Sequence, residues 1–282
     1  MLSVKSLIRR FAAFAVLGVL AHSAAALAPV KALRLYVLDC GALVFNHPED
    51  YGLKREEVAS TNMVVTCYLI VHPKGLLLFD TGLEDRLVGQ AIWANVDGGY
   101  GQVKINTLKD QLAALDVHPA DITFLAVSHS DWDHVGNAND YAGSTWLTPK
   151  AERDFMFGPK FPARYRRTFS RLEQARSVVY AADHDVFGDG LVILKSTPGH
   201  TPGHQSLYVK LPQTGGVVLS GDLYHYAEER TLGRMPEEEK TSGTPEARAA
   251  MESFLKASHS QLWVGHSIGF FTQARQAPAY YE

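Results

Sequence analysis

Four histidine and aspartate side chains lie within six residues, directly after an apolar run that has the composition of a buried strand. The segment is His129-Ser-Asp-Trp-Asp-His134, and residues 124–127 form the run before it. Because side chains alternate along an extended chain, residues 129, 131 and 133 point to one side and His134 turns towards a second point. Imidazoles and carboxylates that converge in this way are typical of a metal site. The fold must therefore bring a buried strand to an end at such a site.

Three later segments also end an apolar strand with a histidine or an aspartate. His200 stands in the loop Thr197-Pro-Gly-His-Thr-Pro-Gly-His204, while Asp222 and His266 follow the runs 217–219 and 262–264. Folds that combine helices and sheets place their sites at strand ends, so we expect these side chains to converge. Asp80 ends an earlier strand and is better suited to support a ligand than to bind the metal.

The order of the predicted elements favours an α/β fold. Strands come first, as one antiparallel sheet, and helices alternate with strands later. The chain has no repeat of short period and no linker rich in proline and serine, so we expect a single domain. The predicted strands are 34–40, 64–71, 76–79, 122–127, 177–180, 191–194, 207–210, 217–219 and 261–264, and the predicted helices are 105–115 and 246–257.

Residues 1–28 have the layout of a secretory signal peptide. Three cations, Lys5, Arg9 and Arg10, precede an apolar run over 11–21 and the small-residue pattern Ala26-x-Ala28. The apolar run is shorter than the roughly 20 residues that span a bilayer, which favours cleavage over a membrane anchor. We therefore expect residues 29–282 to form the mature domain, exported to the periplasm and without a stable membrane span.

The charge and the cysteine content exclude two classes of protein. The formal net charge of -3 becomes -6 without residues 1–28, and the chain has no basic block, so nucleic acid is not the expected partner. Two cysteines in 282 residues do not make a disulfide scaffold. Cys40 and Cys67 lie in predicted strands and could pair in an oxidising compartment if those strands are neighbours. Buried free thiols are the favoured expectation, since this is the commoner fate of cysteine in a core strand.

Five motifs between residues 80 and 266 carry a resemblance to a known family. HxxxDH, DTG, TPGHTPGH, SGD and VGH together resemble the metallo-β-lactamase superfamily of dinuclear metallohydrolases. The TPGHTPGHQSL block and the chain length are most similar to the N-acyl homoserine lactone lactonases. The resemblance implies an αββα sandwich with two divalent metal ions at the edge of its sheets, zinc being the first expectation.

The resemblance also implies a ligand set. One ion would be held by His129, the residue at 131 and His200, and the other by Asp133, His134 and His266. Asp222 would lie between the two ions.

The implied chemistry is the hydrolysis of a small ester or lactone. A hydroxide held between the two ions would attack the carbonyl carbon, with Asp133 also orienting this nucleophile. The lactonases hold the substrate oxygen with a tyrosine three residues beyond the bridging aspartate. That position is His225 here, flanked by Tyr224 and Tyr226, and any of the three could donate the hydrogen bond.

N-acyl homoserine lactones are the leading expected substrates, which would make the protein a quorum-quenching enzyme. The alternatives are a periplasmic β-lactamase, a phosphotriesterase of the same superfamily, and a non-catalytic metal-binding module. Asp222 argues against the β-lactamase, because β-lactamases of the superfamily lack the bridging carboxylate.

Several other residues are candidates for the walls of the substrate site. Residues 98–101 and 228–243 are possible lids or pocket walls. Trp93, Trp132 and the pair Phe270-Phe271 could form an apolar wall, although aromatic side chains are more often part of a core. Three further histidines are expected to be structural: His118, His184 and His204.

Asp131 departs from the family pattern HxHxDH, in which a second histidine stands at this position. A carboxylate can still bind zinc, so we interpret Asp131 as a substituted ligand. Asp131, Asp133, Asp222 and a hydroxide would together neutralise two divalent ions, whereas a histidine leaves one excess positive charge. Oxygen ligands also make Mn²⁺ or Fe²⁺ acceptable beside zinc.

We expect Asp131→His to retain metal and to move the pH–rate profile to lower pH. The extra positive charge would lower the pKa of the attacking water, so activity should rise at a lower pH than in the wild type. The measurement is the pH dependence of kcat for both proteins loaded with the same metal. An unchanged profile would show that the charge argument is wrong.

Overall fold

The computed structural model describes residues 32–90, 93–94 and 99–282, with only the backbone described at 93 and 94. The predicted signal peptide, residue Gly98 and the side chain of Trp93 therefore lie outside the described residues. Within the described part of the chain, no helix is both long enough and apolar enough to cross a bilayer.

A mixed sheet of eight strands forms one half of the fold. It has the order β4-β5-β1-β2-β3-β6-β7-β8, with β1, β2 and β3 antiparallel as the sequence predicts. β6 runs parallel to both of its neighbours, β3 and β7. The strands are β1 Arg34–Val44, β2 Met63–His72, β3 Gly75–Phe79, β4 Trp93–Ala94, β5 Gly101–Val103, β6 Phe124–Ala126, β7 Thr145–Pro149 and β8 Ser177–Tyr180.

A second sheet of five strands forms the other half, in the order β13-β12-β11-β10-β9. The hairpin predicted from 207–210 and 217–219 is present as the antiparallel pair β11–β12, and β13 runs parallel to β12. The strands are β9 His184–Asp185, β10 Val192–Ser196, β11 Gln205–Leu211, β12 Gly215–Leu219 and β13 Gln261–Trp263.

Helices cover the outer faces of the sheets. α4 begins with Pro245 in its first turn, where the missing N–H of proline costs nothing, and it packs on the second sheet. The α-helices are α1 Leu108–Ala113, α2 Lys150–Phe157, α3 Ala227–Leu232, α4 Thr244–Ser258 and α5 Ile268–Gln273. Short 3-10 helices cover Pro48–Tyr51, Arg55–Glu57, Asp85–Leu87, Pro119–Asp121, Ala138–Tyr141, Ala163–Thr168, Ser170–Gln174, Gly221–Leu223 and Glu238–Thr241.

The alternation of side chains along the strands produces the layers. In β1, Leu35 and Val37 face the second sheet and join the core between the sheets. Tyr36 and Leu38 point the other way, into the core beneath α1 and α2. A third core lies between the second sheet and α4, with Met251 and Leu255 on its helical side. The layers are thus αββα, and the predicted fold class is confirmed.

The helix predicted over 105–115 is shorter than expected. It begins after Thr107, whose hydroxyl accepts a hydrogen bond of 2.9 Å from the backbone N–H of Asp110. This N-cap fixes the start of the helix and leaves Ile105 outside it, 71% exposed. The apolar spacing therefore predicted the inner turns correctly and the first turn wrongly.

Cys40 and Cys67 form a disulfide, so the expectation of two free buried thiols is wrong. Their Cα atoms are 5.8 Å apart on the neighbouring strands β1 and β2. Cys67 lies opposite Leu38, and Cys40 lies two residues further along β1, where the register of the pair shifts between Asp39 and Ala42. Strand pairing and register decide the outcome, and neither follows from the two short runs alone.

Candidate metal centre

Three of the predicted ligands form a first group. The Oδ2 atom of Asp131 lies 3.5 Å from His129 Nε2 and 3.3 Å from His200 Nε2. Two ligands that each lie about 2.1 Å from a tetrahedral ion are about 3.4 Å apart, so this spacing fits one metal ion. His129 is fully buried, whereas the Asp131 side chain is 45% exposed and faces the mouth of the site.

Three more predicted ligands form a second group. Asp133 Oδ2 lies 3.7 Å from His134 Nε2 and 3.6 Å from His266 Nε2, and the two imidazole nitrogens are 3.3 Å apart. All three side chains are buried. The same tetrahedral spacing fits a second ion here.

Asp222 joins the two groups through its two carboxylate oxygens. Its Oδ2 atom lies 3.5 Å from His129 Nε2 and 3.7 Å from His200 Nε2, in the first group. Its Oδ1 atom lies 3.2 Å from both His134 Nε2 and His266 Nε2, in the second. The structure thus brings together all seven residues predicted as ligands, in the two sets that the resemblance implies.

Strand ends place these side chains at one edge of the sandwich. β6 leads into His129 and His134 from the first sheet, and β10, β12 and β13 lead into His200, Asp222 and His266 from the second. Two glycines allow the loops to come close. A Cβ on Gly199, at φ +152°, would lie 2.3 Å from the backbone nitrogen of Thr244, and one on Gly221, at φ +53°, would lie 2.7 Å from His204 Nε2.

Each ligand histidine is fixed by a hydrogen bond from its other ring nitrogen. The Nδ1 atoms of His134 and His266 lie 3.0 Å from Asp80 Oδ2 and 2.7 Å from the backbone oxygen of Val64. Because a carboxylate and a carbonyl can only accept, each Nδ1 carries a proton, and each Nε2 is the nitrogen left to bind a metal at the cluster. That is the form in which imidazole binds a metal.

Asp80 has the supporting position that the sequence predicts. It adopts φ 62°, which is uncommon for a residue with a Cβ, and its carboxylate accepts hydrogen bonds from the backbone and the hydroxyl of Ser128. The same hydroxyl lies 3.0 Å from His129 Nδ1. One carboxylate therefore holds His134 directly and His129 through Ser128.

Glu239 is a support that the sequence did not predict. Its Oε1 atom lies 2.8 Å from His200 Nδ1, and the side chain is buried although it belongs to a run of exposed acids. Glu239 is 39 residues from His200 along the chain, in the 3-10 helix Glu238–Thr241. Only the segment 228–243 as a whole was a candidate wall, and no local pattern distinguishes this acid from its neighbours.

The electrostatics of the cluster favour bound cations. Burial alone raises the pKa of Asp222, but His266, His134 and His129 outweigh it and hold this pKa well below its usual value. Burial lowers the pKa of His200, yet Asp131 and Glu239 outweigh it and raise this pKa well above its usual value. The Asp222 carboxylate therefore stays ionised and attracts positive charge, which divalent ions would supply.

Unpaired buried atoms also fit a metal. His129 Nε2 and Asp222 Oδ1 are buried without a hydrogen-bond partner, although such atoms are normally paired. Both face the cluster, and both are atoms that bind zinc well. The residues present therefore fit two divalent ions.

His204 supports the centre without joining either group, as expected for a structural histidine. Burial, with the nearby His129 and His200, holds the pKa of His204 well below its usual value. The neutral ring accepts a hydrogen bond of 2.9 Å at Nε2 from the backbone N–H of Asp222. Its other nitrogen lies 3.1 Å from the backbone oxygen of Thr197.

Of the three residues proposed to contact substrate, only His225 faces the cluster. Tyr224 is directed away, since its hydroxyl donates to Glu252 and its ring packs under Arg248. The Tyr226 hydroxyl donates to the backbone of Thr61, 2.6 Å away. The expectation that Tyr224 is a catalytic residue is therefore not met, because α4 holds its hydroxyl outside the site.

An open cavity of about 590 Å³ leads to the two groups. Tyr51, Tyr100 and Trp132 form an aromatic part of its wall, and Glu237 and Glu238 stand at the rim. The wall predicted from Phe270 and Phe271 is wrong: both rings pack against the core between the sheets, where Phe270 lies 5.0 Å from Trp263.

The comparisons with known proteins agree with this geometry. The family model described as the Metallo-beta-lactamase superfamily matches residues 61–260. The chain belongs to this superfamily. It is 28% identical, over 89% of its length and 99% of the relative, to the N-acyl homoserine lactonase AttM of Azorhizobium caulinodans. It is 25% identical, over 88% of its length and 98% of the relative, to an N-acyl homoserine lactonase of Bacillus thuringiensis.

Solved structures share the fold of this superfamily member. A mutant of Bacillus thuringiensis AiiA with N-decanoyl-L-homoserine bound at the active site superposes with a TM-score of 0.74 at 22% identity, covering 89% of this chain and 100% of that one. AidC, a dizinc quorum-quenching lactonase, superposes with a TM-score of 0.61 at 18% identity, covering 90% and 95%.

Glu239→Ala should weaken the binding of one of the two metal ions by about 10- to 100-fold, the usual effect of losing the partner that orients a ligand histidine. Zinc affinity would be measured by competition with a chromogenic chelator. Glu238→Ala is the matched control, because it removes a neighbouring exposed acid without touching His200. Equal affinities in the two variants would contradict the role given to Glu239.

Proposed function

We propose that this protein is a metal-dependent lactonase that opens N-acyl homoserine lactones. The observation that carries the proposal is Asp222, which presents one oxygen to each of two ligand groups. The curated relatives named N-acyl homoserine lactonases match 88–89% of the chain, which supports the same chemistry here.

The seven ligand residues suit two divalent ions, for which we propose zinc. Four of the seven are imidazoles, which zinc binds well, and the three carboxylates would also accept Mn²⁺ or Fe²⁺. When bound, such ions lower the pKa of a water molecule and polarise a carbonyl group. The ligands are His129, Asp131, Asp133, His134, His200, Asp222 and His266.

Asp133 is the residue placed to move a proton. Its Oδ2 atom faces His134 and His266, and the carboxylate also lines the cavity. Its second oxygen can take a proton from the attacking water and return it to the alkoxide that leaves when the lactone ring opens. Asp222, in contrast, has both oxygens directed at imidazoles and serves to hold the two groups together.

The charge of the cavity favours a neutral substrate. Glu49, Asp50, Glu237 and Glu238 are exposed at its rim, and no lysine or arginine is among the described residues that line it. N-acyl homoserine lactones carry no charge, whereas penicillins and cephalosporins carry a carboxylate that this rim would repel. The carboxylate formed by lactone opening would be repelled in the same way, which favours product release.

An apolar recess beside the first ligand group offers a place for the acyl chain. It has a volume of about 400 Å³ and shares Trp132 and Tyr100 with the main cavity. Phe155, Phe161 and Tyr165, from the segment that follows β7, add three more aromatic rings to its wall. Burying a methylene group there would contribute roughly 0.8 kcal/mol, so substrates with longer chains should bind more tightly until the recess is full.

We propose that the protein works outside the cytoplasm, in the periplasm. The support is the signal-peptide layout of residues 1–28, together with the pairing of Cys40 with Cys67, which an oxidising compartment favours.

If the protein is exported, the periplasmic chain should begin at Pro29, or two or three residues earlier. It should also have no thiol that reacts with a thiol reagent until the Cys40–Cys67 disulfide is reduced. Cell fractionation and the intact mass of the purified protein would check both points. A chain without residues 1–28 is the control and should stay in the cytoplasm. Recovery of the uncut chain from the membrane fraction would instead indicate an anchor.

The zinc-loaded protein should open N-acyl homoserine lactones, with kcat/KM rising with acyl length. Turnover would be followed by acid release on lactones of several lengths, a cephalosporin and a phosphotriester. With zinc in excess, so that both sites are filled, Asp133→Asn should lower kcat by about 100-fold or more, as expected for loss of a general base.

Other outcomes of this assay would select the alternatives. Turnover of only the cephalosporin or only the phosphotriester would replace the lactonase proposal. No turnover of any substrate by the fully metal-loaded protein would indicate a metal-binding module.

A further inference from the structure

His225 is a further imidazole that reaches the cluster, and its role is not fixed by the ligand set above. Its Nε2 atom lies 3.4 Å from Asp222 Oδ2. The same oxygen lies 3.5 Å from His129 Nε2 and 3.7 Å from His200 Nε2. Three imidazole nitrogens therefore surround one carboxylate oxygen at nearly equal distances.

The position of the His225 ring is fixed by buried neighbours. The side chain is 4% exposed, and its ring lies between the ring of Tyr51, at 4.5 Å, and that of His200, at 5.0 Å. Behind it, Glu229 is fully buried and accepts from the backbone of His225 and from Arg248. The Glu229 Oε2 atom lies 3.5 Å from His225 Nδ1. A carboxylate therefore lies behind this ring too, but without the hydrogen bond that the Nδ1 atoms of His134 and His200 make.

We propose that His225 is a ligand of the metal ion held by His129, Asp131 and His200. The proposal rests on the two-metal centre argued above. The ion would then be bound by the imidazoles of His129, His200 and His225, with the carboxylates of Asp131 and Asp222 beside it, and zinc binds both kinds of group. The histidine absent at position 131 is thus replaced by one from the loop after β12.

Ligation and substrate contact are mutually exclusive for this ring. An imidazole whose Nε2 binds a metal has no lone pair or proton left on that atom for a substrate oxygen. Two tyrosine hydroxyls in the same cavity, those of Tyr51 and Tyr100, lie 2.5 Å apart. Because one of them donates to the other, the pair keeps one proton for a hydrogen bond to substrate. Removal of His225 should therefore change the metal centre before it changes substrate binding.

The test compares metal binding by the full-length mature protein and its variants, without substrate. His225→Ala and the more conservative His225→Gln should each bind the weaker of two zinc ions at least about 10-fold less tightly than the wild type in chelator competition. With Co²⁺ in place of zinc, the visible absorption of one of the two ions should change in both variants. Tyr51→Phe is the control: it keeps the ring that packs on His225 and should leave both metal readouts unchanged.

X-ray absorption of the zinc-loaded wild type provides a measurement that does not depend on the folding of any variant. The number of imidazoles bound to the two ions together should be one higher than the four that His129, His134, His200 and His266 supply. Wild-type affinities and Co²⁺ spectra in both variants, or an imidazole count without His225, would overturn the proposal. Fewer than two ions per wild-type chain would also overturn it. Because none of these readouts uses a lactone, lack of lactone turnover would refute the proposed function and leave the test of His225 intact.

Discussion

The carboxylate of Asp222 is the contact on which the rest of the site depends. The Asp222 side chain is only 6% exposed, and removing a carboxylate from water costs several kcal/mol unless positive charge surrounds it. Imidazoles from both sheets surround this carboxylate. His134 comes from the loop after β6 in the first sheet, and His266 comes from the end of β13 in the second. The edge where the two sheets meet is therefore held by an ionic cluster as well as by the apolar core between the sheets.

The groups behind the ligands come from separate parts of the fold. Asp80 follows β3, the backbone oxygen that binds His266 belongs to Val64 in β2, and Glu239 lies in a 3-10 helix before α4. Each of them holds the proton of an imidazole on the side away from the cluster, which leaves the opposite nitrogen directed at the centre. Because these contacts join distant segments, the site is assembled only when both sheets and their covering helices are in place.

This dependence explains which features could be predicted from the sequence. The ligands could be predicted, because they follow the ends of apolar strands and the strand pattern is local. Asp80 could be predicted for the same reason. Glu239 and the Cys40–Cys67 bridge could not be predicted. The position of Glu239 depends on how a polar segment folds over His200, and the disulfide depends on the register of β1 against β2. Tyr224 shows the converse case. Its place next to position 225, three residues beyond Asp222, suggested a substrate contact, but the position of α4 directs its hydroxyl to Glu252.

Asp131 and His225 illustrate how a chain can redistribute the ligands of one centre between segments. Asp131 lies 3.3 Å from His200 and is partly exposed, while His225 approaches Asp222 from the buried side. A carboxylate at the exposed position keeps negative charge beside the mouth of a cavity that already has an acidic rim. An imidazole at the buried position adds a neutral ligand where a further charge would be costly to bury. Asp131 and His225 therefore keep the number of metal ligands unchanged and place the negative charge at the exposed position. That position lies on the side from which a neutral substrate enters and an anionic product leaves.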